Sequence, residues 1–213
     1  MKITWIGHAC FLIDAREARM LTDPFGEDVP YVFPAEPVDI VTVSHDHFDH
    51  NAVHRVPGDH ALIEATGDLD VRGVRLKGIP SFHDDHGGTE RGPNILYVFE
   101  LEGMTIAHLG DLGAPLDGSQ RKALGDSEIL LVPVGGTYTI DAEQAAAIAN
   151  ELPNVRIVVP MHFRTERIAD WPIAPVEEFA GLMDNVRRVG ASTAEVIREA
   201  LPSQREVWIF DHA

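Results

Sequence analysis

Cysteine is almost missing from this chain. Of 213 residues only Cys10 carries a thiol, which excludes an intrachain disulfide and agrees with a reducing compartment. Because Cys10 sits in the apolar run Ala9-Cys10-Phe11-Leu12-Ile13, it reads as a small buried hydrophobe rather than a nucleophile. Positive charge is scarce too: Lys and Arg number 17 against 34 Asp and Glu, a formal net charge of −17. Such a surface repels phosphate backbones, and no basic stretch with interleaved aromatics offsets it, so nucleic acid is not an expected partner. No apolar run reaches the roughly 18 residues a membrane-spanning helix needs, and no membrane partner is expected. The start, Met1-Lys2-Ile3-Thr4-Trp5-Ile6, alternates like a strand and lacks the apolar core of a secretion signal. The expectation is a soluble cytoplasmic protein acting on a small-molecule substrate, its oligomeric state left open. Internal repeats, low-complexity tracts and linkers are also absent, so 1–213 is expected to be one domain.

What the chain does have is histidine in one place. His45-Asp46-His47-Phe48-Asp49-His50 puts three imidazoles and two carboxylates into six positions, directly after the β-branched run Val38 to Ser44. That run reads as a buried strand ending where the polar residues begin. In an extended segment His45, His47 and Asp49 point the same way, and His50 swings round once the chain turns. Neutral imidazole and carboxylate are the ligand types that suit zinc and similar divalent metals.

Other strand-like runs end the same way. Pro80-Ser81-Phe82-His83-Asp84-Asp85-His86-Gly87-Gly88 offers His83 or His86 as a ligand, and His83 is favoured because it comes straight off the strand while His86 precedes two turn-forming glycines. The segments Asn94 to Glu100 and Met104 to Ala107 read as a hairpin closed at Glu102-Gly103, leading into His108-Leu109-Gly110-Asp111. Asp111 is the natural carboxylate to bridge two cations, having two oxygens, whereas His108 is expected to be packed or to support from behind. Val155 to Met161 leads to His162. Asp23, after Leu21-Thr22 and before Pro24, can accept a hydrogen bond from a ligand histidine and hold its tautomer. His54, His60 and His212 are expected at the surface.

Elsewhere, Met1 to Leu21 reads as two or three strands with a turn at 14–17, and Val71 to Leu76 and Lys77 to Pro80 as short strands. Asp141-Ala142-Glu143-Gln144 opens a helix running to Leu152 with a capping box, and the flanking runs 128–134 and 155–161 make it a parallel strand-helix-strand unit. Pro175 to Val189 is expected as an amphipathic helix, Ser192 to Ala200 as a shorter one, and Glu206 to Phe210 as a last strand.

Taken together, His-x-His-x-Asp-His, the later His83, Gly110-Asp111 after one strand and His162 after another resemble the metallo-β-lactamase superfamily. Gly7-His8-Ala9-Cys10-Phe11, Thr22-Asp23-Pro24, Phe82-His83-Asp84-Asp85 and Val134-Gly135-Gly136 resemble, within it, the small bacterial and archaeal hydrolases similar to ascorbate-6-phosphate lactonase. The resemblance implies an α/β (α+β) fold, a four-layer αβ/βα sandwich with a dinuclear site on one edge. It implies one metal on His45, His47 and His83, a second on Asp49, His50 and His162, Asp111 as bridge and Asp23 behind the ligands. His86 departs from the branch pattern, and the insertion that shapes the pocket of RNA-processing relatives is missing.

Two divalent cations about 3.5–4 Å apart supply hydroxide from a bridging water near neutral pH and polarise an electrophile. Two ligand carboxylates against four positive charges leave the site cationic, which favours an anionic substrate. The expected activity is therefore hydrolysis of a small ester or lactone. Zn2+ is the leading ion, with Mn2+, Fe2+ and Ni2+ also compatible. Asp49 and Asp111 are the expected catalytic residues, Asp49 taking the proton, and Tyr138 or His8 a donor to the developing oxyanion. The rivals are a phosphodiesterase for cyclic nucleotides or phospholipid head groups, and a non-catalytic metal-binding sensor.

Overall fold

The computed structural model describes residues 1–213. Strands β1 (Lys2–Gly7), β2 (Cys10–Asp14), β3 (Arg19–Thr22), β4 (Ile40–Thr42) and β5 (Ala61–Ile63) build one sheet. The next seven, β6 (Gly67–Val71), β7 (Val74–Phe82), β8 (Pro93–Leu101), β9 (Met104–His108), β10 (Ile129–Pro133), β11 (Ile157–Met161) and β12 (Val186–Arg188), belong to a second. β13 (Thr193–Glu195) then returns to the first sheet and β14 (Glu206–Ile209) to the second. The strand orders are β13-β1-β2-β3-β4-β5 and β12-β14-β11-β10-β9-β8-β7-β6. Helices α1 (Gly118–Leu124), α2 (Ala142–Glu151) and α3 (Val176–Ala180) are few and short. This is the mixed two-sheet architecture expected from the sequence.

The strand chemistry explains the layering. β10 (Ile-Leu-Leu-Val-Pro) and β11 (Ile-Val-Val-Pro-Met) are buried at every position and pair in parallel, as unbroken apolar strands covered on both faces do. β8 instead alternates over its second half, its inward Tyr97, Phe99 and Leu101 joining the large core between the sheets. The β8–β9 hairpin closes at Glu102-Gly103, both at positive φ (49° and 70°), the geometry of a tight primed turn. The sheets are stitched near one edge by the Tyr97 hydroxyl, which donates toward the carbonyls of Val43 and Ile63 at 3.0 and 3.1 Å, and by Ile95 N–H to Ser44 O at 2.9 Å.

Several expectations are corrected. Val71 to Leu76 is not one strand: Arg72 and Gly73 take positive φ (52° and 83°) and form the hairpin turn between β6 and β7, while 77–80 continues β7. The helix expected over 175–189 stops at Ala180, where Gly181 caps it; Asn185 turns at φ 54° and Val186–Arg188 pairs in parallel with β14. Ser192 to Ala200 is a strand followed by a 3-10 turn, because the open edge of β1 takes Thr193–Glu195 as a partner and edge pairing outweighs helix propensity. The unforeseen α1 carries its own capping box, Asp117 with Gln120. No helix is long and apolar enough to cross a membrane.

Directions decide where the site lies. β1, β3 and β4 run one way in the first sheet, and β7, β9 and β11 run one way in the second. Their C-terminal ends deliver His8, Asp23, the His45–His50 segment, His83, Asp111 and His162. In open α/β sheets that edge is where ligands bind.

Candidate metal centre

Asp111 lies at the middle. The Nε2 atoms of His50, His83 and His162 each stand 3.2 Å from the same Asp111 Oδ2, and His45 Nε2 stands at 4.0 Å. His47 joins His45 and His83 in a second grouping, and Asp49 joins His8, His50 and His162 in another, each set bringing its ligand atoms within 4.8 Å of one another. The structure thus gathers His45, His47, Asp49, His50, His83, Asp111 and His162, from four chain segments, into one cluster. His83 takes part, and His86 does not: it is exposed, paired with Asp85 at 2.7 Å.

The support behind the cluster is built from Asp23. Its carboxylate accepts from Ser44 N–H at 2.8 Å, Ser44 Oγ–H at 2.6 Å and His50 Nδ1–H at 2.9 Å, while Ser44 Oγ accepts from His45 Nδ1–H at 2.9 Å. With the hydroxyl proton committed to Asp23, this network assigns both histidines their Nδ1–H tautomers. Their Nε2 lone pairs then face Asp111. Both Nε2 atoms, and Asp111 Oδ1, are buried without a hydrogen-bond partner. Buried polar atoms rarely go unsatisfied, and a set of imidazole lone pairs around a carboxylate fits a divalent cation in chemistry and geometry. Burial and the neighbouring His50 lower His45 to about 3, and burial and His162 lower His8 to about 4, so both rings are neutral. Burial opposes the charge on Asp111, but His162 and His50 outweigh it and hold the carboxyl well below its usual range.

The backbone is bent to achieve this. His8, Asp23 and His162 take positive φ (55°, 41° and 52°), conformations that cost about 1–3 kcal/mol each and persist where the surroundings over-determine them. His162 N–H is held by His8 O at 3.1 Å and Asp23 N–H by Thr42 O at 2.8 Å. Gly110, at φ 52°, lets the Asp111 loop through: a Cβ there would lie 2.4 Å from Asn94 Oδ1 and 2.6 Å from Ser44 Cβ. Gly135 has the same function against His162, whose carbonyl oxygen would lie 2.1 Å from an added Cβ.

Residues the sequence did not single out complete the frame. Asn94, on β8, accepts from Asp111 N–H at 3.0 Å and donates to Leu109 O at 3.1 Å and Ser81 Oγ at 2.7 Å. Asp84 gathers four loop amides, those of His86 and Gly88 on Oδ1 and of Glu90 and Arg91 on Oδ2, at 2.8–3.0 Å, which brings its carboxyl down to about 2. His108 is buried, donating from Nε2 to Ala9 O at 2.8 Å and accepting Gly110 N–H on Nδ1 at 3.1 Å, a support as expected. His8 donates from Nε2 to Asp49 Oδ2 at 3.2 Å. His54 is exposed and His60 half-buried. His212 is not the free surface residue expected, since it packs on Tyr31 and pairs with Glu166 at 2.6 Å.

The cluster opens into a cleft of about 590 Å³, walled by Phe48, Trp171, Pro172 and Tyr138 with Arg91 among them. A second cleft, of about 560 Å³, lies between Arg164, Glu177 and Arg188, where Arg188 and Glu177 already pair at 2.8 Å.

The family model of the beta-lactamase superfamily domain matches residues 2–162. The chain belongs to this metallo-β-lactamase superfamily. It is 32% identical over 195 residues to a UPF0173 metal-dependent hydrolase of Pyrobaculum aerophilum, covering 78% of this chain and 85% of that protein. To the corresponding protein of Thermococcus onnurineus it is 31% identical over 219 residues, covering 89% and 95%. A solved superfamily member from Thermotoga maritima superposes with a TM-score of 0.83 at 39% identity over 98% of this chain and 97% of that one. Igni18, a metallo hydrolase of Ignicoccus hospitalis, shares the fold at a TM-score of 0.67 and 23% identity, covering 92% and 99%. The protein is accordingly a metal-dependent hydrolase. That is a coarser level than the ascorbate-6-phosphate lactonase likeness of its motifs.

Proposed function

We propose that this protein hydrolyses a small ester or lactone at a dinuclear centre, zinc being the leading ion, with the whole span 1–213 serving as one domain. The observation that carries the reading is the convergence of three histidine Nε2 atoms at 3.2 Å on one Asp111 oxygen, beside a second, partnerless one. A carboxylate so placed suits a bridge between two cations, with His45, His47 and His83 on one side and Asp49, His50 and His162 on the other. That the relatives are metal-dependent hydrolases supports this, as does the description of the Thermotoga maritima protein as a candidate zinc-dependent hydrolase.

When bound, such ions act as Lewis acids and lower the pKa of a water they hold. The chain's own groups do the rest. Asp49 accepts from His8 on Oδ2, which orients the carboxylate within its grouping with His50 and His162, where it would hold the second cation and lie beside the attacking water whose proton it takes. Asp23 and Ser44 fix the imidazole planes so that little reorganisation accompanies the reaction. Phe48 and Trp171 wall one side of the cleft, and Tyr138, which also lines it, carries the hydroxyl that would donate to the charge developing on the substrate oxygen.

Metal content of protein purified without chelator, measured by inductively coupled plasma mass spectrometry, tests the reading together with a panel of lactones, esters and phosphodiesters. About two transition-metal ions per chain and turnover of an ester or lactone are expected. Fewer than about one ion, not restored by zinc, manganese or nickel, overturns the dinuclear assignment.

A further inference from the structure

Arg91 is the only Lys or Arg lining the cleft above the cluster. It does not hang loose. Its backbone N–H is fixed by Asp84 Oδ2 at 2.8 Å, on a loop whose turn is pinned because a Cβ at Gly88 would meet the Phe82 ring at 2.7 Å. Its guanidinium lies 5.7 Å from the Tyr138 ring centroid, within cation–π range, and its side chain is 34% exposed. Glu90, half in solvent, reaches it only at 3.8 Å, a loose pair that leaves the guanidinium fork available.

The rest of the lining sets the remaining chemistry. Phe48, between His47 and Asp49, is 61% exposed, and Trp171, Pro172 and Tyr138 face the same space. Large apolar groups left open beside a polar centre mark a place where a ligand's apolar body is covered. Four carboxylates, Asp28, Asp49, Asp111 and Asp170, line the cleft. On the dinuclear reading, two divalent ions offset those four charges, and Arg91 is what remains. A polyanion would still meet Asp28 and Asp170.

We propose that Arg91 is a specificity residue: the cleft takes an ester or lactone with an aromatic or similarly flat apolar body that carries one carboxylate, the body lying among Phe48, Trp171 and Tyr138 and the carboxylate accepting from the Arg91 fork. This rests on the hydrolase reading above and adds the substrate class to it.

The test uses zinc-loaded protein and a matched series, phenyl acetate, 4-acetoxybenzoate and 4-acetoxy-N,N,N-trimethylanilinium, with rates corrected for spontaneous hydrolysis. One charge-assisted bidentate contact predicts a kcat/KM at least about tenfold higher for the carboxylate than for phenyl acetate, carried mainly by KM. In Arg91→Gln the ratio falls to within about twofold of unity, Arg91→Lys retains part of it, and Arg91→Glu shifts the preference to the trimethylammonium ester. Zinc content and circular dichroism confirm that each variant is folded.

Calorimetric binding of the non-hydrolysed amides acetanilide and 4-acetamidobenzoate runs in parallel. Tighter binding of the carboxylate to the parent protein but not to Arg91→Gln supports the assignment even if no ester turns over, in which case the hydrolase reading alone fails. A carboxylate preference equal in the parent and in Arg91→Gln, or none in either, overturns it.

Discussion

Asp23→Asn is the perturbation that tests how the metal centre is assembled, because it changes almost nothing but which atoms carry protons. Asp23 is fully buried and accepts three hydrogen bonds, from Ser44 N–H, Ser44 Oγ–H and His50 Nδ1–H. Burial alone would raise its carboxyl, yet the His50 bond and the surrounding histidines bring it below the usual value. Deleting the side chain would remove three bonds to a charged acceptor at about 1.5–3 kcal/mol each. That approaches the whole stability of a domain, about 5–15 kcal/mol, so Asp23→Ala would report on unfolding rather than on the site. Asparagine keeps the shape and one acceptor. Its carbonyl continues to take Ser44 N–H, but its amide then confronts His50 Nδ1–H, donor against donor. His50 escapes by moving its proton to Nε2, which removes the lone pair that faces Asp111. The expected result is a folded protein whose zinc affinity, measured by competition with a chromophoric chelator, falls by about 10–100-fold, as for other outer-shell partners of ligand histidines. Thermal unfolding of the metal-loaded variant would show correspondingly less stabilisation by zinc. An affinity within about twofold of the parent would refute the claim that Asp23 sets the tautomers.

The histidine cluster was legible in the sequence because ligand residues followed β-branched runs, and parallel strands bring such ends together whatever the loops do. His83 could be preferred to His86 for the same reason: one directly follows β7, while the other is carried out into solvent by the loop that Asp84 organises. What stayed hidden has a common cause. Asn94 acts on the backbone at Asp111 and Leu109, Ser44 on the side chains of Asp23 and His45, and Asp84 on the amides of its own loop, and such partners leave no periodic trace in the chain. Arg91 escaped notice because the importance of a cation depends on what else lines the same space. The 175–189 helix was misread because Val176, Phe179 and Val186 have helical spacing but serve two elements: the first two are buried under α3, and Val186 sits on a sheet edge paired to β14. Only the three-dimensional position of β14 decides that.

Three further outcomes follow from the geometry. Asp111→Ala is expected to abolish turnover with secondary structure intact by circular dichroism, and to weaken metal binding beyond the roughly 10–100-fold typical of an outer-shell partner; retained activity would sink the bridging role. Gly110→Ala should destabilise by more than the about 1–2 kcal/mol of a left-handed backbone alone, because its Cβ meets Asn94 and Ser44, whereas Gly73→Ala, with nothing within 4 Å, should cost only the backbone part; equal melting temperatures for the two would refute the close-approach argument. Tyr31 gives the pH dependence. Burial raises its phenol from 10.0 to about 12, with Thr165 hydroxyl 2.6 Å away. The folded chain therefore holds its proton where the unfolded chain has lost it, and stability is full below about pH 10 and falls as pH rises toward 12, by about 1.4 kcal/mol for each pKa unit separating the two states. Urea unfolding of the parent and of Tyr31→Phe should accordingly give a stability difference that is constant up to about pH 9 and then shifts against the parent by about 2–3 kcal/mol by pH 12. A difference independent of pH would mean that Tyr31 ionises as freely in the folded chain as in the unfolded one, and that the loop from Gly26 to Pro37 does not seal it from water.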